Sequence, residues 1–223
     1  MERVERWWAG AVIAVPHAPE RTRAMSAAES DTPRAALAGL DDPALVAACL
    51  AGAREAFDVI VQRHRRPVYQ VCYRYVGNHE DASDVAQEVF LRAYRALRGF
   101  KGDASIGTWL YRIAVNACLN RLAARHPAAD SIESSVAIAD RAPDPASRLL
   151  QQEQSARVRA AIARLPGKQR TTLILRVYQE LSHQEIASIV GSSVGAVKAN
   201  FFHALRNLKK ILEQDETEAA KRT

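Results

Sequence analysis

The segment 181–212 has the strictest pattern in the chain. Ser182 and Glu185 form an S-x-x-E capping box, which begins a helix. Gly191 follows where a tight turn between two helices needs unusual backbone angles, and Ser193 is placed to cap the next helix. The pattern predicts a helix-turn-helix, whose second helix can enter the major groove of DNA.

The second helix of this unit is amphipathic. Its predicted buried stripe is Val194, Val197, Phe201, Leu205, Leu208 and Leu212. The opposite face carries Lys198, Asn200, Phe202, His203 and Arg206. Residues 164–212 hold eight Lys or Arg against two Glu, which suits a polyanion. An ordinary antiparallel helix pair is the alternative interpretation of the same residues.

Helical periodicity continues through most of the remaining chain, and no period-two strand pattern occurs. The fold class is therefore all-α, with two small helical domains joined by a flexible linker. We expect the domains at 41–126 and 146–212. Prolines, serines and a surplus of acids indicate the linker at 127–145. Residues 1–40 form an N-terminal extension that we expect to be disordered, and 213–223 form a frayed polar tail.

Composition narrows the class of protein further. The net charge is +6, which suggests an anionic partner without specifying it. Cys49, Cys72 and Cys118 are widely spaced and odd in number, so a disulfide framework is excluded and a cytoplasmic location is expected. The apolar run 7–15 is short for a secretory signal and follows a neutral segment. Translation from Met25 is a second interpretation of this end of the chain.

The predicted helix 79–98 has an acidic first half, with Glu80, Asp81, Asp84 and Glu88. Acids near a helix start are favoured by the helix dipole, so they could serve stability alone. The functional interpretation is a docking patch for a basic partner protein. A surface facing DNA would not be acidic, because phosphates would repel it.

The segment 97–126 has the opposite charge, with five Lys or Arg against one Asp. Phe100, Trp109 and Tyr111 are interleaved with the cations. Arg112, Asn116 and Asn120 are four apart and share one helix face. Aromatic rings, cations and amides suit unstacked single-stranded bases. A core helix with solvated arginines, and Trp109 as core filler, is the alternative.

Three motifs in this order resemble the bacterial RNA polymerase sigma factors of the extracytoplasmic-function (ECF) group in the sigma-70 family. The first is D-A-S-D-V-A-Q-E-V-F, from residue 81 to 90. The second is F-K-G-D-A-S-I-G-T-W-L-Y-R-I-A-V-N, from 100 to 116. The third combines L-S-H-Q-E-I-A at 181–187 with S-V-G-A-V-K at 193–198. The resemblance implies a factor that binds core RNA polymerase, directs it to −10 and −35 promoter elements, opens the strands and initiates transcription.

The resemblance also assigns residues by position. Core-polymerase binding is implied for Asp81, Asp84, Gln87, Glu88 and Phe90. Binding of the single-stranded −10 element is implied for Phe100, Lys101, Ser105, Trp109, Arg112, Asn116, Asn120 and Arg121. Binding of the −35 duplex is implied for Arg176, Ser193, Gly195, Lys198, Asn200, Phe202, His203 and Arg206.

The implied partners are core RNA polymerase, through its largest-subunit coiled coil, and promoter DNA. An anti-sigma factor is expected as a third partner, and no stable homo-oligomer is expected. The mechanism is binding, so the resemblance implies no enzyme activity, no cofactor and no metal. Arginine is the residue that most often binds guanine, but the outer face of this helix offers Lys198, Asn200 and His203 instead. The sequence preference at the −35 element therefore stays open.

Two other classes of protein share parts of this pattern. A helix-turn-helix regulator acting without polymerase would use 181–212, but it needs a receiver or ligand domain, which 41–126 does not resemble. An enzyme would need Cys72 or His64 as nucleophile or base. Both lie on an amphipathic helix with no orienting acid or oxyanion motif nearby in sequence.

Overall fold

The computed structural model describes residues 36–124 and 156–221, and within these ranges it contains helices and no strand. The predicted linker 127–145 and residues 1–35 of the predicted extension lie outside them. The first domain comprises α1 (Asp42–Leu50), α2 (Arg54–Val76), α3 (His79–Ala96), a 3-10 turn (Leu97–Gly99) and α4 (Ile106–Ala124). The second comprises α5 (156–163), α6 (Gly167–Tyr178), α7 (His183–Val190) and α8 (Val194–Ala220).

The core of the first domain lies where α2, α3 and α4 pack on one another, with α1 against α2. Phe57, Tyr75, Phe90 and Leu110 are among its fully buried side chains. Pro67 lies inside α2 without ending it, although proline cannot donate the backbone hydrogen bond of a helix interior. Gly77, at φ 84°, ends α2 in the left-handed conformation that glycine adopts without strain.

The second domain confirms a helix-turn-helix, but its buried stripe differs from the predicted one. In α8 the fully buried residues are Val197 and Ala204, whereas Leu205 is 47% exposed. Phe201 and Leu208 of the predicted stripe do pack against the core, together with Ile211, but Ala204 takes the place predicted for Leu205, and Val194 is 37% exposed. Small Ala204 thus lies where the helix passes closely over the core.

Helix α8 continues to Ala220, so the predicted frayed tail is wrong for most of its length. Its last turns are held by ion pairs to the start of the domain. Arg157 pairs with Glu216 at 3.3 Å and Arg164 with Asp215 at 2.7 Å. These polar residues stabilise a helix end that has no apolar periodicity of its own.

The two domains contact each other along one side. The Tyr75 hydroxyl donates to Thr171 Oγ1 at 2.7 Å. The Tyr111 hydroxyl donates to Gln179 Oε1 at 2.6 Å. Helix α4 of the first domain also lies against α7 of the helix-turn-helix. The two predicted domains are therefore joined by an interface that the sequence did not indicate.

Candidate protein and nucleic-acid interfaces

Helix α3 presents an acidic stripe to solvent. Asp84 and Glu88 are exposed one turn apart, and Gln87 beside them is half-buried. Glu88 also pairs with Arg92 at 2.5 Å, an exposed i,i+4 contact that costs little to break. Val85 and Val89 anchor the other side of the helix in the core. The exposed stripe can therefore meet a basic partner without any change in the fold.

Two residues of the predicted docking set are not on this stripe. Asp81 is 5% exposed and Phe90 is 2% exposed, so neither can contact a partner at the surface. The Asp81 carboxylate accepts from Asn78 Nδ2 at 2.5 Å and from Arg121 Nη2 at 2.8 Å. The assignment of both residues to polymerase contact is corrected. Phe90 fills the core, and Asp81 joins the start of α3 to α4.

Helix α4 carries the polar face that the four-residue spacing predicted. Arg112, Asn116 and Asn120 are all exposed, while Ala114, Val115, Ala117 and Cys118 are buried behind them. Arg121 is exposed too, but its hydrogen bond to Asp81 raises the pKa of its guanidinium. The charge of Arg121 is thus partly compensated inside the protein, whereas no ion pair is seen for Arg112 among the described residues.

An aromatic pair stands at the start of this face. The rings of Phe100 and Trp109 are 5.2 Å apart and tilted by 53°, and both are half-buried. Ser105 caps α4, since its Oγ accepts from the Thr108 amide at 3.1 Å. Lys101 is exposed in the loop between the helices. Ser105 therefore orients the helix, while the rings and Lys101 can contact a ligand.

A cavity of about 250 Å³ opens beside Trp109. The loop 99–104, Thr108, Trp109 and Arg112 form most of its wall. Ser188 and Ile189 of α7, in the second domain, complete it. The cavity is thus lined by residues of both domains.

The helix-turn-helix has the predicted capping geometry. Ser182 Oγ accepts from the Glu185 amide at 3.2 Å, and Glu185 Oε2 accepts from the Ser182 amide at 2.8 Å. Hydrogen bonds from the Ser182 hydroxyl and amide lower the pKa of Glu185. Gly191 makes the turn at φ 63°. These contacts fix where α8 begins.

Most of the predicted duplex-binding residues lie on the accessible side of α8. Ser193 Oγ accepts from the Ala196 amide at 3.2 Å and caps the helix. The exposed residues are Gly195, Lys198, Phe202, His203 and Arg206, and Asn200 is half-buried. Phe202 is 65% exposed, which is unusual for a phenylalanine and leaves its ring available to a base methyl or a sugar.

Arg176 is placed differently from the other predicted duplex contacts. It is half-buried in the last turn of α6, and its Nη1 donates to the Leu181 carbonyl at 2.8 Å. The guanidinium therefore braces the segment that leads into the helix-turn-helix. Only its remaining donors can reach a phosphate.

Of the two residues weighed as catalytic, Cys72 is fully buried, and His64 has a carboxylate partner that the sequence did not indicate. The nearby Cys118 thiol and burial raise the pKa of Cys72, which keeps its thiol protonated. His64 Nε2 lies 2.8 Å from Asp42 Oδ2, in a contact that ties α2 to the start of α1. Within the described ranges there is no metal-binding cluster of His, Cys, Asp and Glu, and no helix long and apolar enough to cross a membrane.

Comparison with known proteins matches both domains. Residues 60–127 match Sigma-70 region 2, and residues 155–208 match Sigma-70, region 4. The RNA polymerase sigma-H factor of Pseudomonas aeruginosa is 36% identical over 182 residues, which cover 77% of this chain and 94% of that protein. The ECF RNA polymerase sigma-E factor of Escherichia coli is 38% identical over 175 residues, covering 74% and 91%. The solved structure of CnrH in complex with the cytosolic domain of CnrY matches with TM-score 0.60 and 26% identity, covering 78% and 98%.

Two helical domains with these matches define a sigma factor of the sigma-70 family. Because the chain is 38% identical to sigma-E over 91% of that relative, it belongs to the ECF group. Sigma factors of this group are transcription initiation factors that direct core RNA polymerase to promoters, and the predicted function is confirmed.

Proposed function

We propose that this sigma factor works by binding alone and uses three separate surfaces. Region 2 spans residues 41–126, the linker spans residues 127–145, and region 4 spans residues 146–212. The acidic stripe of α3 docks on core polymerase, the face of α4 holds the −10 strand, and the first turns of α8 read the −35 duplex. The observation that carries the proposal is the opposite charge of the two exposed faces on adjacent helices α3 and α4.

The docking surface is Asp84, Gln87 and Glu88. The carboxylates of Asp84 and Glu88 are exposed and can meet a basic surface of the polymerase without desolvating a buried group. Asp81 supports this surface from inside by fixing the start of α3. Electrostatic complementarity of this kind contributes chiefly to orientation and association rate.

The strand-binding surface combines the Phe100–Trp109 pair with the polar face of α4. A base that leaves the duplex can stack on a ring, which contributes about 1–3 kcal/mol per base. Asn116 and Asn120 can accept and donate to base edges, while Lys101 and Arg112 face the phosphates. Unstacking a base costs a few kcal/mol. The stacking and polar contacts are of the size needed to offset that cost.

Run-off transcription with core polymerase and genomic promoter fragments tests the proposal as a whole. New start sites that depend on the added chain are the expected result. If the chain yields no new start sites and does not co-elute with core polymerase, the proposal fails. The hypothesis of a helix-turn-helix regulator acting without polymerase then stands instead. The fragments that respond then supply the −10 and −35 sequences for the assays below.

The docking surface is tested by the double charge swap Asp84→Arg with Glu88→Arg. We expect loss of core binding with an unchanged circular-dichroism spectrum, because both side chains are exposed. The matched control is Glu55→Arg with Glu218→Arg, which makes the same change of charge on exposed acids outside the stripe. Equal loss of core binding in the control would refute the assignment.

The strand surface is tested by Asn116→Ala, which should impair promoter opening more than core affinity. Equal opening by variant and wild type on linear duplex contradicts the role of Asn116. Salt dependence separates the cations, because each phosphate contact on a single strand adds about 0.7 to the slope of log affinity against log salt. Arg112→Gln should lower that slope by about 0.7, whereas internally paired Arg121→Gln should lower it less.

An anti-sigma factor is the proposed regulator. The similar sigma-type structure CnrH was solved with a protein partner, the cytosolic domain of CnrY, which supports a partner of that kind here. The chain itself is proposed to be a cytoplasmic monomer. Purification of the chromosomally tagged chain, followed by addition of each co-purifying protein to the run-off assay, tests this. Only a protein that stops transcription and competes with core for the chain would qualify.

A further inference from the structure

The side of α8 that faces away from the core is formed by four residues, here called the outer stripe: Gly195, Ala199, Phe202 and Arg206. They follow one another at spacings of four, three and four, and all are exposed. The core stripe of the same helix has the same spacing, starts two residues later and consists of Val197, Phe201, Ala204 and Leu208. Two residues rotate an α-helix by about 200°, so the two stripes lie on opposite sides of α8.

The N-terminal part of the outer stripe is apolar. Gly195 has no side chain, Ala199 presents one methyl group, and Phe202 presents a ring that is 65% exposed. Arg206 is the charged member, and it lies one turn further along the helix. In a helix-turn-helix the N-terminal residues of the second helix contact the base edges. The part of the outer stripe that is placed to meet the bases therefore carries no hydrogen-bonding side chain.

Lys198 and His203 flank the outer stripe instead of belonging to it. Each is rotated by about 70° from the middle of the stripe, and they lie on opposite sides of it. When α8 lies in the major groove, groups on its two sides are directed to the phosphates, and such contacts position the helix without reading the sequence. The cations of this helix are thus placed to contact the backbone rather than guanine.

Asn200 is the one amide among the predicted duplex contacts. It is half-buried and lies seven residues before Asn207, so the two share one side of α8. Asn207 Nδ2 donates to Gln169 Oε1 of α6 at 2.8 Å, which shows that this side faces the protein. Asn200 is therefore not placed to form the paired hydrogen bonds by which asparagine recognises adenine.

Gly195 supplies an independent sign of close approach from outside. A Cβ at this position would meet no atom of the described residues within 4 Å, and its φ is not in the left-handed region. Glycine is less favourable than alanine within a helix, so the fold itself does not account for glycine here. A partner that comes close to the backbone does account for it, and base edges on the floor of a groove are such a partner.

Thymine is the base whose major-groove edge suits this stripe. Its C5 methyl group makes apolar contact with alanine and phenylalanine side chains, whereas guanine and adenine are recognised by hydrogen bonds. Ala199 and Phe202 are about 4.5 Å apart along the helix axis, which is close to the step of about 3.4 Å between base pairs. We propose that Ala199 and Phe202 determine the −35 specificity by contacting the methyl groups of thymines in neighbouring base pairs. This inference rests on the proposed function and names the base that its −35 surface recognises.

Replacing thymine by uracil removes only the C5 methyl group, so this substitution isolates the proposed contact. The probe is a promoter fragment that responds in run-off transcription, synthesised with each −35 thymine of either strand replaced in turn by deoxyuridine. Binding is measured with the full chain assembled on core polymerase. Loss of one methyl contact of about 0.8 kcal/mol corresponds to an affinity about fourfold lower, and this loss is expected at two of the positions.

Two variants assign these contacts to side chains. Ala199→Gly removes the methyl group and Phe202→Ala removes the ring, and circular dichroism checks that each variant is folded. In each variant one of the two sensitive thymines should become insensitive to uracil. Phe202→Ala decides the matter alone if glycine at position 199 unfolds α8. The matched control Lys198→Gln should weaken binding of the thymine and uracil duplexes by the same factor, and it should lower the salt slope by about 0.9.

Three results would overturn the inference. The first is that no −35 thymine is sensitive to uracil. The second is that the sensitivity persists when Ala199→Gly and Phe202→Ala are combined, because the methyl groups would then act through the shape of the duplex. The third is that 7-deazaguanine at a −35 guanine weakens binding more than uracil does, because a cation would then be reading the guanine N7.

Failure of run-off transcription would reject the proposed function but would leave the base contact to be decided separately. The full chain without polymerase would then be used to select duplexes from a random pool, and the selected duplex would be substituted with uracil in the same way. A fourfold loss that the Ala199 and Phe202 variants abolish would support the methyl contacts. A pool from which no duplex is enriched would overturn them.

Discussion

Asp81→Asn separates a structural role from a docking role within the same short motif. The sequence resemblance places Asp81 with Asp84 on the polymerase-binding surface, but the structure buries Asp81 between α3 and α4. Its carboxylate holds Asn78 at the start of α3 and Arg121 near the end of α4. We therefore expect the substitution to destabilise the first domain and to leave polymerase docking largely intact.

The magnitude follows from the exposure of the partners. Removing one member of a fully buried ion pair costs about 3–5 kcal/mol, because the other charge stays buried and unpaired. The Arg121 side chain is 45% exposed, so water can solvate it once Asp81 is neutral. The Asn side chain also keeps one oxygen as an acceptor. The loss is then close to that of one hydrogen bond to a charged group, about 2 kcal/mol.

Urea unfolding followed by circular dichroism measures this cost, with Asp84→Asn as the matched control. The control makes the same chemical change on an exposed carboxylate and should alter the free energy of unfolding by less than about 0.5 kcal/mol. The affinity for core polymerase is measured for both variants without urea, at a temperature where each variant is folded. An Asp81→Asn cost as small as that of the control, or a loss of core binding as large as in the charge swap, would falsify the assignment of Asp81.

Three further predictions concern the helix-turn-helix. Ser182→Ala should cost about 1 kcal/mol through loss of the cap. In the folded state the pKa of the Glu185 carboxyl is lowered from its ordinary value of 4.5. The capping box therefore stabilises the domain at pH values above 4.5. That stabilisation is lost as pH falls through the folded pKa, so urea titrations at pH 7 and pH 3 should show a smaller cost at pH 3. Gly191→Val should cost about 1–2 kcal/mol or more in thermal unfolding, since a β-branched residue is strained at φ 63°. Ile186→Ala should cost about 2–5 kcal/mol and half-exposed Leu205→Ala under about 0.5 kcal/mol, and equal costs would contradict the observed stripe.

The elements that local signals determine were predictable from the sequence. The capping box at Ser182, the turn at Gly191 and the exposed face at Arg112 and Asn116 all lie where the pattern put them. Each depends on residues within about one turn of each other, so the chain need not be folded for the signal to exist. The start of α3 at His79 agrees for the same reason, because Asn78 is a strong cap.

The predictions failed where burial depends on neighbours that are distant in sequence. Phe90 follows a docking motif, but the α2 and α4 side chains decide that it faces the core. Ala204 and Leu205 are neighbours in the sequence. Ala204 is buried and Leu205 is exposed because α8 packs closely against α6 at this point. Arg170 gave no local signal at all, since its acceptors belong to α2 of the other domain.

Asp81 and Arg121 together explain how two surfaces of opposite charge can share one pair of helices. In the proposed function, Asp84 and Glu88 on α3 would repel phosphates bound at the face of α4 if no cation stood between them. Arg121 stands there: it pairs with Asp81, and the charges of Asp84 and Glu88 further raise the pKa of its guanidinium. Because the Arg121 guanidinium pairs with Asp81 of α3, the proposed strand-binding surface depends on Lys101 and Arg112 for its cations. In the proposed function, the Asp81–Arg121 pair thus lies between the protein-binding face of α3 and the DNA-binding face of α4.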